Sequence, residues 1–298
     1  MEKTLVSCTV VSYNSSATVI ETLESIKAQT YQNIELIVSD DCSTDNTIDL
    51  CREWIKQNGN RFARTLLLTV EKNTGVAKND NRALDACEGE WKKGIAADDI
   101  MLPNCIEDFM EFVRDHPEAR WASSYYQVYK NTFEPDNCIA HHAVSKRSFF
   151  DLTAEQQLKA IAPWNLIAAA PNFYKTSVLR EVGGFCMDFS FEDYPTFVTL
   201  LEHGYKCWFM DKETVGYRIH DSISHSSEKL FNYKFLLESK KFHKERTFKY
   251  LTWWQKIGQY SIWGLQTAFE KLNLNKDTRC NKIVYRRLYS LLRKIFNN

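Results

Sequence analysis

The chain carries no net charge: Lys and Arg number 38, and Asp and Glu number 38. A nucleic-acid binder usually shows a basic excess in its folded core, and none is present there. Long apolar runs are missing too. None approaches the roughly 20 residues that a bilayer-spanning helix needs. The start, Met1-Glu2-Lys3-Thr4, leads straight into a short strand and lacks the features of a signal peptide, which predicts a cytoplasmic protein. The nine cysteines include no CxxC pair and are odd in number. This argues against a disulfide framework or a structural zinc site and predicts small buried hydrophobes in a reducing compartment. No GxGxxG follows the first strand, and no GxxxxGK[ST] occurs anywhere. A dinucleotide oxidoreductase and a P-loop enzyme thereby lose their main warrants. Any nucleotide bound here must have its phosphates neutralised by something other than a glycine cradle.

What is present is ordinary globular composition, 44% hydrophobic and 26% charged over 298 residues. That length suits one large α/β domain or two small ones. Neutrality hides an asymmetry: from Lys249 to Asn298 there are ten basic residues and two acids, Glu270 and Asp277. The body is correspondingly acidic, as suits a metal-assisted site, and the tail suits an anionic surface.

Short apolar runs alternate with helical periodicity through the first hundred residues. Leu5–Val11, Ile34–Val38, Leu66–Val70 and Trp91–Ala97 read as strands, and Ala17–Gln29, Thr47–Gln57 and Val76–Cys87 as helices. This repetition predicts a mostly parallel sheet flanked by helices, with ligands beyond the carboxyl ends of the strands. Further on, a helix from Pro103 to Asp115 and a strand Trp121–Val128 precede a polar stretch, Tyr129–Lys146, that reads as an irregular loop over the site. A strand Pro171–Lys175, a helix Ser177–Val182 stopped by Gly183-Gly184, and a helix Phe191–His203 come next. Strands at Lys206–Met210 and Thr214–His220 complete the body, and the chain beyond Ser224 is helical.

Carboxylates stand where that architecture puts ligands. Asp40-Asp41 ends the second strand and Asp98-Asp99 ends the fourth. Adjacent carboxylates repel and ask for a partner, and Asp98-Asp99 on a tight loop suits a hard divalent cation that would bridge to diphosphate oxygens. Ser43, Thr44 and Asp45 read as caps for the following helix.

The pieces Val11-Ser12-Tyr13-Asn14, Asp40-Asp41-Cys42-Ser43, Asn73-Thr74-Gly75-Val76, Gly89-Glu90-Trp91, Ala97-Asp98-Asp99, Gly183-Gly184-Phe185, Glu192-Asp193 and Tyr217-Arg218-x-His220 occur in that order from Val6 to about Ser224. Together they resemble the inverting family 2 glycosyltransferases of the GT-A fold. The resemblance implies a Rossmann-like, mostly parallel central sheet with a helical C-terminal extension. It implies a catalytic domain over 1–222, its nucleotide-sugar half about 1–100 and its acceptor half about 101–222, then a basic helical extension over 223–298. It further implies transfer of a single sugar from a UDP-sugar to a saccharide or lipid-linked saccharide acceptor, in polysaccharide or lipopolysaccharide biosynthesis, with Mn²⁺ or Mg²⁺. Within it Val11 and Tyr13 contact the base, Asp41 accepts the uracil imide, Asp98 holds the ribose and Asp99 ligates the metal. His220 falls beside the metal or diphosphate, Asp193 is the base that deprotonates the acceptor, and Glu192 orients the site. Two departures stand out. Ala96 occupies a place where many relatives carry an acid, and Asp80 one where they carry arginine, which leaves Lys78 or Arg82 to face the phosphates. The Gln-x-x-Arg-Trp signature of processive relatives is absent.

Ile283 to Phe296 reads as an amphipathic helix with Val284, Leu288, Leu291, Leu292 and Ile295 on one face. With Trp253-Trp254 it suits peripheral contact with the cytoplasmic face of an inner membrane; packing on the catalytic domain or a homodimer contact are the alternatives. Two other functional classes remain: a metal-dependent sugar-phosphate nucleotidyltransferase, which usually needs a Gly-rich basic loop where Ser12-Tyr13-Asn14-Ser15-Ser16 stands, and a non-catalytic sugar-nucleotide-binding or scaffold protein.

Overall fold

The structure is a computed structural model that describes residues 4–219 and 229–296. The chain divides into two compact units, Met1–Gln157 with Leu166–Ile219, and Leu158–Asn165 with His220–Asn298.

In the first unit β1 (Val6–Ser12), α1 (Val19–Lys27), β2 (Ile34–Asp40), α2 (Thr47–Asn58), β3 (Arg64–Leu68), α3 (Val76–Asp85) and β4 (Trp91–Ala96) alternate as the periodicity predicts. The strands order β3-β2-β1-β4, all parallel. Every residue of β2 is buried, as an inner strand covered on both faces requires. Val19, Leu23 and Ile26 place one face of α1 on the sheet, each contributing about 1.5–3 kcal/mol of burial. A two-residue β5 (Ile100–Met101), α4 (Cys105–Asp115) and a ten-residue β6 (Trp121–Lys130) follow.

Two expectations change from here. The stretch 129–146 is not an irregular loop: after a single 3₁₀ turn, β7 (Cys138–Ala143) runs back antiparallel along the outer half of β6. Its alternation is weak and its side chains mostly solvated, which hid it. Beyond α5 (Ala154–Ile161), β8 (Phe173–Lys175), α6 (Thr176–Glu181) and α7 (Asp193–Glu202), the two strands expected at 206–220 form one, β9 (Cys207–Ile219). Its polar Asp211-Lys212 looked like a break. It is a bulge, because Met210 opposes Ser124 and Glu213 opposes Tyr125. β8 lies between β4 and β6, antiparallel to both; β9 is parallel to β6, and β5 closes the edge antiparallel to β9. The sheet is therefore mixed, parallel over its β3-β2-β1-β4 part. Trp91, Phe173 and Phe109 stack through its centre at 5.1 and 4.9 Å.

At the amino end of the strands, buried Glu35 accepts from Ser7 Oγ, Arg64, and the Glu88 and Gly89 amides. Residue 89 must be glycine, because a Cβ would lie 2.5 Å from the Ser7 nitrogen. The nine cysteines form no disulfide among the described residues, and five of them are buried.

The second unit holds α8 (Tyr233–Phe242), a π turn His243–Thr247, α9 (Trp253–Lys271) and α10 (Arg279–Phe296). Thr252 and Gln255 cap α9 reciprocally. Phe242, Ile262, Trp263 and Phe269 are buried between its elements. The C-terminal segment is helical, as the sequence indicates.

Candidate active site

The carboxyl ends of β2, β1 and β4 lie side by side, with Val11 level with Ser39 on one neighbour and Ala96 on the other. Asp40-Asp41, Tyr13 and Asp98-Asp99 consequently follow one another along one edge of the sheet. The two acidic pairs have different surroundings.

Asp40 is structural. Its carboxylate accepts from Ser12 Oγ (2.8 Å), the Ser43 amide (2.8 Å) and Ser43 Oγ (2.6 Å). Asp41 is also buried and satisfied: the Thr74 amide (2.8 Å), Thr74 Oγ1 (2.6 Å), the Gly75 amide (2.7 Å) and Arg82 Nη2 (3.2 Å) all donate to it. These bonds hold its carboxyl below the usual range despite burial. The expected caps divide their work. Asp45 accepts the Thr47 amide at the start of α2, but Ser43 and Thr44 do not cap; they tie the loop to Asn14. Tyr13 is half exposed, its ring open to solvent beside this loop.

The Asp98-Asp99 loop is pinned from two sides. Thr18 and Thr22 of α1 donate to the Ala97 and Asp99 carbonyls, both at 2.7 Å. From β9, Arg218 gives its amide to Asp99 Oδ1 (2.9 Å) and its Nε to the Asp98 carbonyl (2.8 Å), and pairs with Glu21. Arg218, part of a motif without an assigned role, thus fixes the loop; a lone arginine in sequence gives no sign of that. Asp99 is 3% exposed. Burial, then the neighbouring Asp98 charge, pushes its carboxyl well above the usual range.

Asp99 lines a cavity together with Val11, Ala96, Tyr217, Glu192 and Asp193. Glu192 and Asp193 open α7 on the far side of the sheet's midline, so residues remote in sequence converge here. Burial, the Asp193 charge and the Asp80 charge raise Glu192 from 4.5 to about 8. Tyr217 rises to about 12, by burial and then by Asp99, Asp98, Tyr126 and Asp193. Its ring thus stands within the field of both carboxylate groups. The Gly183-Gly184-Phe185 turn closes one wall. Asn81 accepts the Phe185 amide (2.7 Å) and donates to its carbonyl (2.8 Å), and Gly184, at φ 78°, leaves room for that clasp.

Sequence reasoning missed Lys92. It is fully buried on β4, lines the cavity, pairs with Asp80 at 2.8 Å and lies 4.8 Å from the centre of the Phe185 ring. Asp80 is the position that departs from the expected arginine, and the missing cation enters from the neighbouring strand instead. The signal was two adjacent lysines, Lys92-Lys93, in an otherwise apolar strand. Neither alternative cation lines this cavity: Lys78 is exposed along a separate groove with Asn81 and Gly184, and Arg82 binds Asp41. His220 lies outside the described residues.

The expected divalent cation was tested against these groups. Among the described residues no cluster of three or more His, Cys, Asp or Glu side chains forms a ready cage. Asp99 nevertheless fits one. Its buried carboxylate takes a single hydrogen bond, from the Arg218 amide, among the described residues, and a second acid adjoins it. Mg²⁺ and Mn²⁺ sites commonly use one or two carboxylates and complete the shell with phosphate oxygens and water.

Residues 7–171 match the family model described as "Glycosyl transferase family 2". The chain is 27% identical over 221 residues to "UDP-Glc:alpha-D-GlcNAc-diphosphoundecaprenol beta-1,3-glucosyltransferase WfaP" of Escherichia coli, covering 72% of this chain and 78% of that protein. It is 34% identical over 122 residues to "Glycosyltransferase GlyG" of Streptococcus pneumoniae, but that match spans 41% of this chain and 39% of GlyG. Among solved structures, S. aureus TarS 1-349 in complex with UDP-GlcNAc aligns with a TM-score of 0.60 at 18% identity, covering 97% of this chain and 91% of that one. The mannosyltransferase PcManGT from Pyrobaculum calidifontis, in complex with GDP-Man and Mn²⁺, aligns at 0.55 and 21% identity over 72% of this chain and 56% of that one. These two likenesses establish the GT-A fold.

Proposed function

Because the chain belongs to glycosyl transferase family 2, we propose that it transfers one sugar from a UDP-sugar to an acceptor hydroxyl with inversion, Asp193 serving as base. The observation that supports this most is the meeting of Val11, Asp99, Glu192 and Asp193 around one cavity at the carboxyl ends of the strands. The Asp193 carboxylate removes the acceptor proton as the acceptor oxygen attacks the anomeric carbon. The bond from that carbon to the diphosphate breaks on the opposite face, and the nucleoside diphosphate departs. One displacement inverts the centre.

Asp99, seconded by Asp98, would hold Mn²⁺ or Mg²⁺, which when bound neutralises charge on the leaving diphosphate. Val11 and the open ring of Tyr13 flank the base, and Asp98 meets the ribose. Asp41 accepts the uracil imide in place of Arg82, the most distant of its four donors. A uridine donor agrees with the UDP-GlcNAc bound by TarS. A lipid-linked acceptor agrees with the diphosphoundecaprenol in the name of WfaP, and a polysaccharide one with the name "Putative teichuronic acid biosynthesis glycosyltransferase TuaG" of a Bacillus subtilis protein. Among the described residues no helix is long and apolar enough to cross a membrane.

The test is a panel of nucleotide sugars with Mn²⁺, scored by nucleoside diphosphate release. Asp193→Asn is expected to keep donor binding and lose transfer, whereas Asp99→Asn weakens metal-dependent binding itself. Full transfer by Asp193→Asn would overturn the base assignment.

A further inference from the structure

Helix α10 has a face that nothing covers among the described residues. No residue of α10 is buried. One side leans on its own unit: Tyr285 packs against Phe269 and Phe231 at 5.4 Å each, Tyr289 against Trp164 at 6.3 Å, and Phe296 against Trp254 at 4.9 Å. The adjoining side is a stripe at i, i+4, i+7 and i+11, formed by Val284, Leu288, Leu291 and Ile295, each 40–54% exposed. Trp254 donates its indole N–H to the Ile295 carbonyl at 3.2 Å and stands beside Trp253, which is 70% exposed. The stripe and the two indoles therefore form one exposed apolar band. Six basic residues and no acid lie on α10, and Arg287 and Lys294 border the band.

We propose that this band docks on an anionic lipid surface. Charge complementarity decides the occupant. A second copy would bring the same six cations against these, whereas an anionic bilayer answers them and receives the apolar side chains and indoles at headgroup depth. The inference uses the second unit alone and stands whether or not the catalytic assignments do.

The full chain is mixed with sedimentable vesicles of phosphatidylcholine alone, or of phosphatidylcholine and phosphatidylglycerol in equal parts. Binding is expected to the second kind and to weaken as salt rises. At roughly fivefold per basic residue near an anionic surface, Arg287→Gln and Lys294→Gln together reduce it by about twenty-five-fold. Leu288→Asn with Leu291→Asn, two exposed positions whose change leaves the fold intact, removes binding while circular dichroism and thermal midpoint stay unchanged. The proposal is overturned by equal binding to both vesicles, by no binding to either, or by a dimer that the Leu288/Leu291 variant dissociates without changing vesicle binding.

Discussion

Glu192 offers a quantitative test of the cavity. Its carboxyl is raised from 4.5 to about 8 because the site is dry and Asp193 and Asp80 are near. Below pH 4.5 folded and unfolded chains both carry the proton, so the group has no linked effect. Between 4.5 and 8 the unfolded chain ionises while the folded chain keeps its proton, and stability falls as pH rises. At about 1.4 kcal/mol per unit the whole shift is worth about 5 kcal/mol. That is a ceiling, since water entering the cavity screens the interaction. Glu192→Gln has no proton to lose there. Urea denaturation of both proteins at intervals from pH 5 to 9 should show the variant gaining on the parent steadily up to pH 8, then running parallel to it. Curves parallel throughout would mean that Glu192 is ionised in the fold and that its surroundings do not raise it.

Lys92→Met strands Asp80 as a buried charge, and an expected loss of about 3–5 kcal/mol is read by denaturant midpoint. Adding Asp80→Asn to Lys92→Met should recover most of that loss, which a purely steric role for Lys92 would not allow. Gly184→Ala places a methyl 2.3 Å from Asn81 Oδ1 on a left-handed backbone, while Gly183→Ala meets nothing within 4 Å. The second should cost about 1–2 kcal/mol of strain, and the first distinctly more, in thermal melts run side by side.

The amino-terminal part of the fold was legible because physics leaves few options for its elements. Strands such as Ile34–Asp40 are buried on both faces and read as unbroken apolar runs, and helices such as Val19–Lys27 show a single buried stripe. The part from β6 onward was harder. β7 pairs along one side of β6 with mostly solvated side chains, so burial gave it little pattern, and the bulge at Asp211-Lys212 looked like a chain break. Lys92 was hard to read for another reason: a lysine becomes a buried ion partner only once the fold has brought Asp80 of α3 beside it, and spacing along the chain does not encode that.

In sequence the two acidic pairs look alike, two adjacent aspartates at a strand's end. The fold distinguishes them by counting donors. Asp40 and Asp41 between them accept from three hydroxyls, three backbone amides and one guanidinium, so their charge is answered by protein groups. Asp99 is as deeply buried, yet among the described residues one backbone amide donates to its carboxylate, while the Thr18, Thr22 and Arg218 side chains grip the loop through its carbonyls. The protein thus spends its donors on holding the loop's shape and leaves the acid's oxygens short of hydrogen bonds. A buried carboxylate so placed is costly. On the proposed reading, a cation delivered with a diphosphate would remove that cost when donor binds, and the cost would return when the nucleotide leaves, which would tie metal affinity to donor occupancy. Calorimetry should therefore find Mn²⁺ binding weak alone and strong with UDP present; equal affinity in both conditions would refute the coupling.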